Sequence, residues 1–235
     1  MSLVLVDVRP LTAYETGHLP GAVHLDPEHD LSAIGPNPAA GGRHPLPGKT
    51  QLEDVFSRAG IGPESFVLAL DDGTGWAARC WWLLRHLGHD AAGTLDLRGY
   101  LGPFTTEIAG VEHSAFRSRP RTGDTIAAEE ILERLRDPTL MLLDARSKAR
   151  WLGDEEPLDP VAGRIPGAVN AFFVEPLPDG ATDPVEVVAY CGSGVTACVV
   201  VQKLVLAGRE DVRLYPGSFG EWCRRKNYPI EKGSP

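Results

Sequence analysis

The sequence predicts an α/β protein built from two tandem domains, each a mainly parallel sheet flanked by helices. An internal repeat carries most of that expectation, because self-similarity fixes domain number without reference to any propensity. Val6-Asp7-Val8-Arg9 returns as Leu143-Asp144-Ala145-Arg146, an offset of 137, and Gly17-His18-Leu19-Pro20-Gly21-Ala22-Val23 returns as Gly163-Arg164-Ile165-Pro166-Gly167-Ala168-Val169, an offset of 146. The third block, Val67 to Gly88, aligns without a gap to Val187 to Gly208, an offset of 120. Shared order with shifting offsets means two homologous copies with different loop insertions, expected over residues 1–115 and 116–235. The alternation of short apolar runs with helical stretches is the second observation. The third is length: 235 residues leave each half large enough to bury its own core.

In chain order, Val4–Asp7 is an aliphatic run ending at a carboxylate, as a buried parallel strand does. Leu52–Ala59 reads as a helix, Phe66–Leu70 as the next strand, and Trp76–Leu87 as a helix closed by Gly88. Trp81 and Trp82 on that helix are read as core or interface rather than cofactor contacts. Phe104 to Thr125 carries Ser, Arg, Pro and Gly with little periodicity and is the expected linker. In the second copy, Ala127–Leu135 is helical, Leu140–Asp144 and Val185–Tyr190 are strands, and Thr196–Ala207 is a helix closed by Gly208. Ligands of such sheets sit beyond the carboxyl ends of the strands.

Lys plus Arg number 23 and Asp plus Glu 32, a formal net charge of −9 that disfavours nucleic acid or anionic membrane as a partner. Residues 1–115 hold 7 basic and 14 acidic residues and 116–235 hold 16 and 18, so an anion-handling site is expected in the second half. Four cysteines (Cys80, Cys191, Cys198, Cys223) without a CxxC pair are too few for a disulfide scaffold and point to free thiols in a reducing compartment. The opening MSLVLVD lacks the basic start and long apolar core of a secretory signal. Val187–Val201, the longest uncharged apolar stretch, is broken by Gly192 and Gly194 and is shorter than the ~20 residues of a membrane helix. A cytoplasmic protein without membrane attachment is therefore expected.

The strand-to-helix turn Tyr190-Cys191-Gly192-Ser193-Gly194-Val195-Thr196 is where chemistry is expected. A cysteine at a helix N-terminus meets unpaired backbone N–H groups, and the Gly, Ser, Gly run lets several amides converge on one sulfur. Those features lower a thiol pKa, and the thiolate is the nucleophile. A lone cysteine is more often a buried hydrophobe, but this glycine pattern favours the functional reading. For Thr196, a helix-start hydroxyl and a hydroxyl aimed at the sulfur are equally admissible. The matching turn of the first copy, Leu70 to Trp76, puts Asp71 in the cysteine's place, so that half is expected to be non-catalytic. Asp–Arg pairs recur at Asp7/Arg9 and Asp144/Arg146, which marks Arg146 as structural. Cys191 and Cys198 lack a second ligand pair at metal-binding spacing, so neither metal nor cofactor is expected.

These blocks and this loop resemble the tandem-domain rhodanese family, which includes thiosulfate and 3-mercaptopyruvate sulfurtransferases, over nearly the whole chain. The resemblance implies a rhodanese fold in each half and a Cys191 persulfide as the carrier of a sulfane sulfur. It implies a small anionic sulfur donor and a thiol or cyanide acceptor, with thioredoxin-like proteins among the candidate acceptors. Gly192-Ser193-Gly194-Val195-Thr196 is similar to the loop of the mercaptopyruvate enzymes, and so points to that donor first and thiosulfate next. Arg150 matches the family arginine that approaches the donor anion. The resemblance implies a second arginine after Glu156-Pro157 for a two-guanidinium grip on a carboxylate, and this chain departs from it with Leu158. Arg79 and Arg164 are the candidates to replace it, and His44 in His44-Pro45-Leu46-Pro47 resembles an active-site histidine segment. Two rival functions remain in view. A phosphatase on the same fold needs a longer loop closed by an arginine, which Ala197 and Cys198 do not supply. A catalytically weak binding or regulatory module would account for Leu158 and for the short segment before Cys191.

Overall fold

The computed structural model describes residues 2–183 and 185–234; Met1, Pro184 and Pro235 lie outside the described residues. The chain divides into two compact units, Met1–Ala33 with Leu46–Arg121, and Ile34–Pro45 with Thr122–Pro235.

The first unit contains β1 (Ser2–Asp7), α1 (Leu11–Thr16), β2 (Val23–His24), α2 (Lys49–Arg58), β3 (Ser65–Asp71), α3 (Trp76–His86) and β4 (Ala92–Asp96). Its strands form one parallel sheet in the order β2-β1-β3-β4. The buried side chains of α3 include Trp81 and Trp82, in keeping with their reading as core. Phe104 to Arg121, expected as linker, instead lies along this unit. His18 and Thr105 exchange backbone hydrogen bonds, Ser114 N donates to Ser57 O (3.0 Å), Phe116 packs on the Phe56 ring, and Arg119 N donates to Leu87 O (2.7 Å). Low periodicity in that stretch reflects an irregular strap with backbone partners, not a free connector.

The second unit repeats the plan with α4 (Ala128–Glu133), β5 (Leu140–Asp144), α5 (Lys148–Leu152), β6 (Val169–Asn170), β7 (Glu186–Tyr190), α6 (Ala197–Leu206), β8 (Arg213–Leu214) and α7 (Ser218–Trp222). Its sheet order is β6-β5-β7-β8, again parallel throughout. Ile131, Leu142, Val188, Tyr190, Tyr215, Phe219 and Trp222 belong to one buried cluster of this unit. Removing such side chains from water is worth about 1.5–3 kcal/mol each, so the sheet position of Tyr190 and the loop it feeds rest on this core. The segment 34–45 belongs here although the chain enters it from the first unit. Gly41 N donates to Glu221 Oε1 (3.2 Å). A Cβ on Gly42 would fall 2.4 Å from Gly217 O. The unit boundaries therefore differ from a single cut at 115/116: the strap carries the first unit to Arg121, and 34–45 crosses over. No helix among the described residues is long and apolar enough to cross a membrane.

Candidate active site

Strand β7 ends at Tyr190 and delivers Cys191, 1% exposed, to the start of the turn into α6. Its Sγ accepts hydrogen bonds from Gly194 N (3.1 Å) and, more weakly, Ser193 N (3.5 Å). Burial opposes ionisation of this thiol. The Thr196 hydroxyl and the N–H groups of Ser193, Ala197 and Gly194 outweigh it and hold the pKa below the ordinary thiol value. Thr196 precedes α6 without a side-chain capping bond, and its hydroxyl is among the groups that lower the Cys191 pKa. The contrast with Cys80 isolates the loop's contribution: burial without such donors pushes that thiol up to about 12. The rate of Cys191 alkylation against pH should therefore have its midpoint below that of an ordinary thiol, and Thr196→Val should move it upward. An unmoved midpoint would remove the hydroxyl from this role.

The loop shape is enforced from below. Gly194 has φ +78°, and a Cβ there would lie 2.4 Å from Pro216 O, so only glycine fits. Cys191 N donates to Ser218 Oγ (3.1 Å), Phe219 N to Cys191 O (2.9 Å) and Gly220 N to Gly192 O (2.9 Å). Ser218 itself is held at φ 54°, a left-handed conformation unusual for a residue with a Cβ. The sequence reading missed this support from 215–222. The dense Gly217-Ser218-Phe219-Gly220 run of small and turn-forming residues was the available signal.

The first unit carries the same turn with a different occupant. The Asp71 carboxylate accepts from Gly73 N (3.0 Å), Thr74 Oγ1 (3.1 Å), Gly75 N (2.8 Å) and Ala77 N (3.1 Å). At the repeat offset, Gly73, Gly75 and Ala77 stand where Ser193, Val195 and Ala197 stand in the second copy. Of these positions, 193 and 197 also hold donors toward Cys191; in the first copy the acceptor is a carboxylate, which cannot do sulfur chemistry.

Arg150, on α5, binds Glu156 through Nε (3.1 Å) and Nη2 (2.7 Å), with Asp159 Oδ2 3.5 Å from Nη2. Burial pushes the Glu156 carboxyl up, but Arg150, the Leu158 N–H and Arg146 outweigh it, so its pKa lies below the ordinary range. Arg146 makes a two-pronged contact with Asp144 and donates to Gly163 O (2.7 Å), and Arg9 repeats this with Asp7 and Gly17 O (2.8 Å). The duplicated pair ties a strand end to the loop after the next helix in each unit, the structural role expected for it.

Arg164 does not join this cluster. It stacks over Trp151 at 4.1 Å, donates to Trp151 O (3.2 Å) and Gly233 O (2.7 Å), and pairs with Glu231 (2.5 Å). It lines a separate groove of about 540 Å³ whose lining does not include Cys191. Arg79 is fully buried in the first unit, with Nε donating to Leu31 O (3.4 Å). His44 lies, half-buried, in the segment that belongs to the second unit. The residue beside it, Arg43, was overlooked: its Nη2 lies 2.7 Å from where a Cβ on Gly192 would be, and Arg150 Nη2 lies 3.2 Å from the same point.

The rhodanese-like domain family matches residues 1–98 and 127–225. The chain belongs to the rhodanese family. Among curated relatives of this rhodanese, a probable 3-mercaptopyruvate sulfurtransferase of Pseudomonas aeruginosa is 39% identical over 94% of this chain and 86% of its own length. A putative thiosulfate sulfurtransferase of Mycobacterium tuberculosis is 35% identical over the same shares of the two chains. A solved structure of EanB in complex with ergothioneine is similar in fold, with a TM-score of 0.82 at 18% identity. This chain is covered completely in that match but spans only 65% of the EanB chain.

Proposed function

We propose that this rhodanese is a sulfurtransferase that carries a sulfane sulfur on Cys191, with 3-mercaptopyruvate as its first donor and thiosulfate as its second. The observation that carries the reading is a buried cysteine at a strand-to-helix turn whose Sγ accepts from the loop amides Gly194 N (3.1 Å) and Ser193 N (3.5 Å). In the first half-reaction the Cys191 thiolate attacks the donor's outer sulfur. A new S–S bond forms; the donor's C–S or S–S bond breaks, and its electron pair leaves with pyruvate enolate, which then takes a proton, or with sulfite. In the second half-reaction a thiolate or cyanide attacks the terminal sulfur and the Cys191 thiolate departs. Splitting the transfer in this way replaces one difficult step by two easier ones. The amides that hold the thiolate also hold the thiolate-like leaving group of the second step, as an oxyanion hole does for oxygen.

Arg150, whose Nη2 lies 3.2 Å from where a Cβ on Gly192 would be, supplies positive charge for the donor's anionic head. The absence of any basic side chain from Gly192 to Thr196 favours the carboxylate donor over the compact dianion thiosulfate, whose charge would lie closer to the sulfur. Mass spectrometry of the Cys191 peptide after exposure to each donor should show one added sulfur atom, removed again by cyanide. Turnover should be faster with 3-mercaptopyruvate than with thiosulfate. Absence of loading by either donor would overturn the reading in favour of a binding or regulatory module.

A further inference from the structure

The residues around Gly192 form a charge cluster with one unmatched cation. Asp159, whose side chain is fully buried, lies 2.6 Å from Arg224 Nη1, 3.3 Å from Arg43 Nε and 3.5 Å from Arg150 Nη2. Arg146 and Arg150 share Glu156, and Arg146 is held by Asp144. Four guanidiniums (Arg43, Arg146, Arg150, Arg224) thus face three carboxylates (Asp144, Glu156, Asp159).

These guanidiniums differ in what their N–H groups do. Arg146 spends its donors on Asp144, Glu156 and Gly163 O, and Arg224 Nη1 on Asp159 and Gly220 O. Arg43 Nε is buried without a hydrogen bond, since Asp159, though near, is misaligned. Arg43 Nη2 and Arg150 Nη1 fall 2.7 Å and 3.5 Å from the place a Gly192 Cβ would take. Neither group donates to a protein acceptor among the described residues. Two planar forks therefore flank the backbone next to the nucleophile, partly open to solvent at 23% and 15% exposure. A buried guanidinium with unused donors beside a surplus of positive charge is suited to an anion with two oxygens.

We propose that Arg43 is the second guanidinium of the donor-anion site, taking with Arg150 the place that Leu158 leaves vacant, and that it sets the preference for a carboxylate donor. This deepens the sulfurtransferase reading and rests on it for the identity of the donor, though not for the anion site itself. The grip crosses the expected domain boundary in sequence: one arginine comes from 34–45 and the other from α5. Leu158 itself is 56% exposed and offers no donor but its N–H, which is bonded to the Glu156 carboxylate.

The test separates anion recognition from sulfur transfer. Alkylation of Cys191, read on its own peptide by mass spectrometry, is followed with anionic iodoacetate and neutral iodoacetamide in wild type, Arg43→Ala and Arg43→Lys. A charge-assisted pair of hydrogen bonds predicts that Arg43→Ala slows iodoacetate by about 10- to 100-fold relative to iodoacetamide, with partial recovery in Arg43→Lys. The KM for 3-mercaptopyruvate should rise by a similar factor with a smaller change in kcat. Equal effects on both reagents, or none on either, would overturn the proposal, because a residue that only holds the loop in place does not distinguish charge. Asp159 keeps Arg150 and Arg224 in the variant, so the fold survives the substitution. Retained discrimination between reagents in a protein that no donor can load would leave the anion site standing and remove the sulfurtransferase reading.

Discussion

Cys191→Ser should abolish sulfur transfer from both donors, with turnover falling by at least about a thousandfold, the scale of loss when a covalent nucleophile is removed. Serine preserves the volume and can accept from Gly194 N, so the loop should keep its shape and the variant its stability. What it loses is ionisation. The loop lowers the pKa of a thiol; the same few donors cannot bring an aliphatic hydroxyl into the working range, and an alcohol has no counterpart to the persulfide bond. The measurement is cyanide-dependent thiocyanate formation with each donor, alongside a urea melt to show that the variant is folded. Turnover above one tenth of wild type would place the sulfur carrier elsewhere. Cys80 and Cys198 are buried, and burial raises the thiol pKa of both Cys80 and Cys223, so neither of those two offers a reactive alternative.

Asp159→Ala should cost about 3–5 kcal/mol of stability, the range for removing one member of a buried ion cluster and leaving its partners uncompensated. Asp159 is the carboxylate common to the ion pairs of Arg43, Arg150 and Arg224. Without it, three cations crowd a site that already holds one more positive than negative group, and Glu156 alone remains to hold Arg150. Urea denaturation monitored by tryptophan fluorescence reads the loss. A penalty below about 1 kcal/mol, the scale of a surface ion pair, would show that solvent screens the cluster. Asp159→Asn, which keeps the shape and one acceptor oxygen, should recover part of the stability but not the charge balance.

The parts of this architecture that were legible in the sequence are those encoded locally. Leu140–Asp144 was read with its observed limits, and Trp76–Leu87 and Thr196–Ala207 came within a residue or so of α3 and α6, because aliphatic runs and closing glycines mark such elements directly. The Cys191 turn is legible for the same reason: sulfur, glycines and helix start are adjacent in the chain. The short strands β2, β4, β6 and β8 were not read. The two-residue ladders β2, β6 and β8 have no period of their own and are set by the strands they pair with, and β4 holds Gly93 and Thr94 where β5 has an unbroken aliphatic run. Arg43 was missed because its significance lies in partners at Asp159 and Gly192, more than 100 residues away in the chain. Arg164 is a candidate for the missing second arginine on sequence because Leu158 leaves that place without a guanidinium. In space its guanidinium is consumed by Trp151, Gly233 and Glu231.

The Asp71 turn gives the duplicated chain an internal reference. Its amides have an acceptor at 2.8–3.1 Å, whatever donor or acceptor is in solution, whereas in the proposed transfer those around Cys191 would face in turn a thiol, a thiolate and a persulfide. The first copy therefore keeps the turn with a fixed acceptor, while under the proposed function the second would meet a cycle of changing sulfur chemistry. Any donor-dependent change in amide exchange along Ser193–Ala197 that is absent along Gly73–Ala77 belongs to that cycle, and not to solvent, temperature or the stability of the fold.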